Sequence, residues 1–258
     1  MFEERLKNAA RHVSAQGFAP VYVSLHGSQN YGLAIHEADY QSDYDFKCIV
    51  LPSLWDLVEG KKPASLTLET ADGQIDVKDI RVFCDALERM NPAYLESLAT
   101  EHSMILPGGE RMEEIRVLLE MLIHERAWGF ARACCGLFED KAQRMCHDSP
   151  AVHERIVRDG YDGKQPHHML RLMHQLKAFE ERGEFVLEAP REQYELLMRL
   201  KKNEIPLEEV RAMILDWRAE MQATKLHIEQ KYGEPKSDAC AAIRRIAQEM
   251  MHTYCSKG

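Results

Sequence analysis

The chain has 258 residues, 45% hydrophobic and 29% charged, with a formal net charge of -9, which is the profile of a globular protein able to build one large core or two smaller ones. No apolar run reaches the length of about eighteen residues that would suggest a membrane span, and the acidic balance excludes holding nucleic acid by an overall basic field while leaving room for a local basic patch. The opening stretch MFEERLKNAARHV is charged and amphipathic, without the apolar centre of a secretory signal, and the seven scattered cysteines include no C-x-x-C spacing, so the chain is expected in the cytoplasm with free thiols.

Leu6, Ala9, Ala10 and Val13 recur at helical spacing over residues 1–17, and Gly17 ends the pattern. A strand is expected next in PVYVSLHGS, where Val21, Val23 and Leu25 alternate with Tyr22 and Ser24. A second strand, DYDFKCIVLP, carries Tyr44, Phe46, Cys48 and Val50 to a stop at Pro52. The polar connection between the two, roughly fifteen residues, is long enough to suggest function. SLTLET and IDVKDI read as a hairpin with Asp72-Gly73 at its tip. From Arg81 the pattern is helical to the end, broken near Asn91-Pro92, LPGGE and GYDGKQP. The expectation is therefore an α+β fold: a small mixed β-sheet domain with flanking helices over residues 1–108, followed by an α-helical domain over 109–258.

Asp43 and Asp45 are one residue apart on the second expected strand, so the period of two sends both carboxylates from one face. Like charges so placed repel unless a cation lies between them, and magnesium prefers such hard oxygen donors. Asp76, between Ile75 and Val77, is a third acid on a strand that could lie beside the first. Asp79 competes for that place, but on the same strand it would point to the opposite face. Three carboxylates around two ions is an arrangement suited to phosphoryl and nucleotidyl transfer. Gly27 lets the backbone approach a phosphate closely, and Ser28 offers a hydroxyl and an N–H to the same oxygens. Taken singly, a Gly-Ser pair is also the content of a plain turn, and D-x-D that of a solvated strand end.

Taken in order, Gly27-Ser28-Gln29-Asn30-Tyr31-Gly32, Ser42-Asp43-Tyr44-Asp45, Ile75-Asp76-Val77, and Asn91-Pro92 with Glu96 and Leu98 resemble the DNA polymerase β-like nucleotidyltransferase superfamily. The likeness is closest to its predicted-nucleotidyltransferase branch of bacteria and phages. Tyr161, Asp162, Lys164, His168, Arg171 and Leu172 resemble the Y-D-x-K-x-x-x-H-x-x-R-L stretch of that branch's helical part. Residues 20–100 are covered well and 159–185 less fully.

The resemblance implies that Asp43, Asp45 and Asp76 bind two magnesium ions, or manganese in their place, with Asp76 also the general base. It implies that Gly27 and Ser28 hold the β and γ phosphates of a nucleoside triphosphate such as ATP, with Tyr31, Lys164, His168 and Arg171 as further nucleotide contacts. Lys164, His168 and Arg171 share one helix face, which serves either as a grip on phosphate or as ordinary surface charge around a packing histidine. Asn91-Pro92 reads as a helix start, and Glu96 either is buried or faces the site. The implied activity is transfer of a nucleoside monophosphate from the triphosphate to a hydroxyl of RNA, protein or a small molecule, with release of pyrophosphate and no membrane partner. The alternative is a non-catalytic nucleotide- or RNA-binding module that keeps the fold.

Overall fold

The computed structural model describes residues 2–37 and 40–256. The chain folds as two compact units, one of Met1–Arg126 with Lys236–Gly258 and one of Ala127–Pro235. The first is built on a mixed sheet and the second is helical, the α+β architecture expected.

In the first unit, α1 (Phe2–Ala15) carries Glu3 and Glu4 in its first turn, where they complement the helix dipole. Its stripe of Leu6, Ala9, Ala10 and Val13 is buried in one core cluster with Val23, Leu25, Phe46, Cys48, Val50, Ile75 and Val77 of the sheet. The sheet has the order β5-β6-β4-β1-β7, with β1 (Ala19–His26), β4 (Asp45–Leu51), β5 (Ser65–Thr70), β6 (Gly73–Asp79) and β7 (Ser103–Ile105). β4 runs parallel to β6 and antiparallel to β1. Two short arms, β2 (His36–Glu37) and β3 (Tyr40–Gln41), pair with each other inside the long polar connection. The helices of this part are α2 (Leu54–Val58), α3 (Ile80–Glu88), α4 (Pro92–Ala99), α5 (Met112–Val117) and α6 (Leu119–Glu125). α4 begins at an Asn91 cap with Pro92 in its first turn and packs on β1, so Tyr22 and Ser24 are as buried as Val21 and Val23. The Tyr22 hydroxyl, taken from water, donates to the Ser97 carbonyl at 2.6 Å.

The second unit comprises α7 (Ala127–Arg144), α8 (His153–Asp159), α9 (Lys164–Arg182), α10 (Tyr194–Lys201) and α11 (Leu207–Lys231). α9 lies at its centre, packed by α7, α10 and α11, and ends at Gly183 in the left-handed conformation. Among the described residues, no helix is long and apolar enough to cross a membrane.

The structure departs from the sequence reading in three places. Strand β4 begins at Asp45, so Asp43 lies in the segment before it. The segment is held off the sheet by its own bonds: Ser42 N–H donates to the Ile35 carbonyl and Tyr44 N–H to the Asp72 carbonyl. Residues 103–105, expected to be helical, form the edge strand β7 against β1; three residues are too few to show a period. The units divide at 126/127 instead of 108/109, and the last helix, α12 (Asp238–Cys255), belongs to the first unit. The glycines near 108 form a tight turn, with Gly109 N–H on the Leu106 carbonyl and Leu106 N–H on the Val21 carbonyl. α12 packs on α3, where Arg244 pairs with Asp85 and Glu88.

The hairpin tip reaches the segment that carries the first two aspartates. Gly73 has φ 151°, and a Cβ there would lie 2.4 Å from the Tyr44 carbonyl oxygen. Arg5 pairs with Asp72 and lays its guanidinium over the Tyr44 ring at 3.8 Å. Gly73→Ala is expected to cost about 2–4 kcal/mol through backbone strain and displacement of Tyr44. Urea denaturation of the two chains measures it, and equal stability would show that the tip does not constrain Tyr44.

Candidate functional site

The end of β1 and the start of β4 meet with His26 directly opposite Asp45. Immediately after His26 the chain turns through Gly27 into a short 3-10 turn, Gly27–Gln29. Gly27 has φ 73°, and a Cβ there would lie 2.8 Å from Asp45 Oδ2. Only glycine meets both demands, a left-handed backbone and a carboxylate against its open side. Gln29 Nε2 donates to the Ser42 carbonyl at 3.0 Å, and Ser42 Oγ accepts the Ile35 N–H at 2.9 Å. The serine of S-D-x-D is thus a buried strap that holds the aspartate segment beside the glycine corner. Asp43 is exposed, while Ser28 and Asp45 are half-buried.

Tyr31 behaves differently from the nucleotide contact expected of it. It is 5% exposed, its hydroxyl donates to Glu96 Oε2, and the Tyr31 hydroxyl oxygen lies 3.3 Å from His26 Nδ1. Glu96 is itself buried, 3.8 Å from His26 Nδ1. Tyr31 therefore ties the loop after the glycine corner to α4, a positioning role. The spacing of Glu96 one turn past Asn91-Pro92 was the only sequence signal for this partnership.

Asp76 stands opposite Lys47 across the parallel pair β4–β6. Its Oδ2 accepts from Lys47 Nζ at 2.9 Å and from the Tyr94 hydroxyl at 2.8 Å, and its Oδ1 pairs with Lys78 Nζ at 2.6 Å. Lys47 Nζ also lies 4.3 Å from the centre of the Tyr94 ring. Burial alone would raise the Asp76 pKa; the Lys47 charge and the hydrogen bonds from Lys78, Lys47 and Tyr94 outweigh it and hold the carboxyl at about 2. Burial, reinforced by the Asp76 charge and hydrogen bond, pushes the Tyr94 hydroxyl well above its ordinary value. Asp79 is absorbed elsewhere: it caps α3 through the Arg81 N–H and forms a two-point pair with the Arg81 side chain.

Among the described residues, no three Asp, Glu, His or Cys side chains come together in a group that could hold a metal ion. The expected three-carboxylate centre is thus not assembled, for two reasons. Asp43 precedes the strand, and the β4–β6 register sets Asp76 beside Lys47, one side-chain row beyond Asp45, with the Cα atoms of Asp45 and Asp76 roughly 8 Å apart by strand spacing and rise. The chemistry of Asp43 and Asp45 still suits one divalent cation, since magnesium commonly takes one or two carboxylates and completes its shell with water and phosphate oxygens. Asp76, with an ammonium on each oxygen, does not fit as a ligand in this arrangement.

In the second unit, Lys164, His168 and Arg171 lie on α9 around the adjacent His167. His167 is buried with Nδ1 3.0 Å from the Leu197 carbonyl oxygen. Burial pushes its pKa down to about 3 against that hydrogen bond, and the charges of Arg171, Lys201 and Lys164 add to the fall. Arg171 and Lys201 are 6% and 9% exposed, so this unit concentrates cationic charge inside itself. Lys201 belongs to the basic run RLKKNE, where nothing in the sequence separates it from Lys202. Tyr161 and Asp162 are structural: Tyr161 donates to the Ile205 carbonyl, and Asp162 accepts from Lys164 N–H and Gln165 Nε2 at the start of α9. No protein-family model matches the chain, and no curated protein is significantly similar to it.

Because the folded pKa of Asp76 lies below its ordinary 3.8, its stabilising contribution is complete above about pH 5 and is lost as pH falls toward the folded value. A cycle of Lys47→Met and Asp76→Asn should give a coupling of about 1 kcal/mol at pH 7, allowing for solvent screening, and about half of it at pH 3. Urea denaturation at the two pH values reads it. A pH-independent coupling would mean that the pair does not depend on ionised Asp76.

Proposed function

We propose that the chain is a divalent-metal-dependent nucleotidyltransferase. It would move a nucleoside monophosphate from a nucleoside triphosphate to an acceptor hydroxyl. The observation that carries this reading is the glycine corner: Gly27 at φ 73°, its open side against Asp45 Oδ2, with Ser28 beside it and Asp43 two residues before Asp45. A backbone bare of side chain next to two hard carboxylates suits a phosphate chain brought in with a cation. In the reaction the acceptor oxygen bonds to the α-phosphorus, the bond from that phosphorus to the bridging oxygen breaks, pyrophosphate leaves, and the hydroxyl proton passes to solvent or a base. A bound cation supplies charge neutralisation on the phosphates. Asp43 and Asp45 would hold it, Gly27 would let the Asp45 carboxylate lie against the corner, and the Ser28 hydroxyl would donate to the phosphates.

A second reading, a nucleotide-binding module without catalysis, is favoured by one fact, the engagement of Asp76 by two lysines. Transfer of label from each α-labelled triphosphate, with magnesium, to RNA, protein and small hydroxyl acceptors separates the two. Transfer is expected, falling by about a hundredfold or more in Asp45→Asn with the melting temperature little changed. Calorimetric binding of triphosphate without transfer to any acceptor or to the chain itself would select the second reading.

A further inference from the structure

We infer that Lys47 and Lys78 withhold Asp76 from metal ligation, so that the site takes one divalent cation, on Asp43 and Asp45, and the Lys47 ammonium occupies the place of a second cation. The inference rests on the nucleotidyltransferase reading of the same site.

Lys47 is on the same strand as Asp45 and, two residues on, leaves the same face of the sheet. Its side chain is 8% exposed and that of Lys78 is 16% exposed. Lys47 is bonded to Asp76 Oδ2 and seated over the Tyr94 ring, while Tyr94 donates to the same oxygen. For Asp76 to take a metal through Oδ2 it must shed Lys47 or Tyr94, and through Oδ1 it must admit the metal beside the Lys78 ammonium. Lys47 has little access to water, because its side chain is buried against the Tyr94 ring. Shedding would leave a buried, uncompensated ammonium. A dication set beside Asp76 would also face that ammonium as a like charge. The ammonium meanwhile does what a second cation would do for the carboxylate, neutralising it and fixing its orientation.

The test is the number of Mn2+ ions bound per full chain, read from the loss of the free-ion paramagnetic resonance signal, with and without a nonhydrolysable triphosphate analogue. The wild type is expected to bind one ion in its analogue complex, lost in Asp45→Asn and retained in Asp76→Asn. Lys47→Met with Lys78→Met should raise the number to two, and Lys47→Arg should leave it at one. Circular dichroism checks that each variant is folded, and if the double variant does not fold, retention in Asp76→Asn decides. Two ions in the wild type, one of them lost in Asp76→Asn, would overturn the inference while leaving the nucleotidyltransferase reading in place. One ion in a folded double variant would overturn the role given to the lysines. Neither Mn2+ nor analogue bound would remove the functional reading together with the inference.

Discussion

Parallel pairing of β4 with β6 brings Lys47 directly opposite Asp76. The same register sends Phe46, Cys48, Val50, Ile75 and Val77 to the face covered by α1. A slip of one residue would turn those apolar side chains onto the opposite face. The hydrophobic core therefore holds the ion pair in place, and the polar face inherits its geometry from a constraint set on the other side of the sheet. Tyr94 joins this arrangement from α4, which the Asn91 cap and Pro92 start at a defined point.

Around Asp43 and Asp45, backbone packing does comparable work. Gly27 closes on Asp45 from one side, and the Asp72–Gly73 tip closes on Tyr44 from another. Ser42 straps the segment to the loop through Ile35, and Gln29 bonds back to the Ser42 carbonyl. Two of these approaches admit only glycine, so the pair of aspartates is presented by a frame with little freedom. Asp45 is thereby held against the corner, and a carboxylate already oriented is not reorganised when a charged ligand arrives. The buried Tyr31–Glu96–His26 group secures the far end of the same loop.

Much of this was legible in the residues. The helical stripe of α1, the strand character of β1 and of residues 45–51, the hairpin before Arg81, and the Asn91 cap follow from local rules, because each is set by periodicity or by one residue's own hydrogen-bonding habit. Less legible were features that depend on a distant partner. β7 is a strand only because β1 offers it an edge. Asp43 looks like a strand residue until Ile35 and Asp72 take the backbone bonds beside it. Tyr31 carries the pattern of a ligand contact, but Glu96, sixty-five residues away, takes its hydroxyl. The return of α12 to the first unit is likewise invisible in the helix itself, whose partners lie on α3, α5 and α6.

By itself the sequence determined the chemistry on offer and its order: a glycine-serine corner after a strand, two acids one residue apart, a third acid on a later strand, and a helical second part. Those follow from composition and from the periods of strand and helix, which a chain carries locally. Which carboxylates share a point, and with which charges, was decided only by tertiary structure. Strand register, which no short motif encodes, set Asp76 against Lys47, while Lys78 joins it from the same strand and Asp45 stays at the glycine corner.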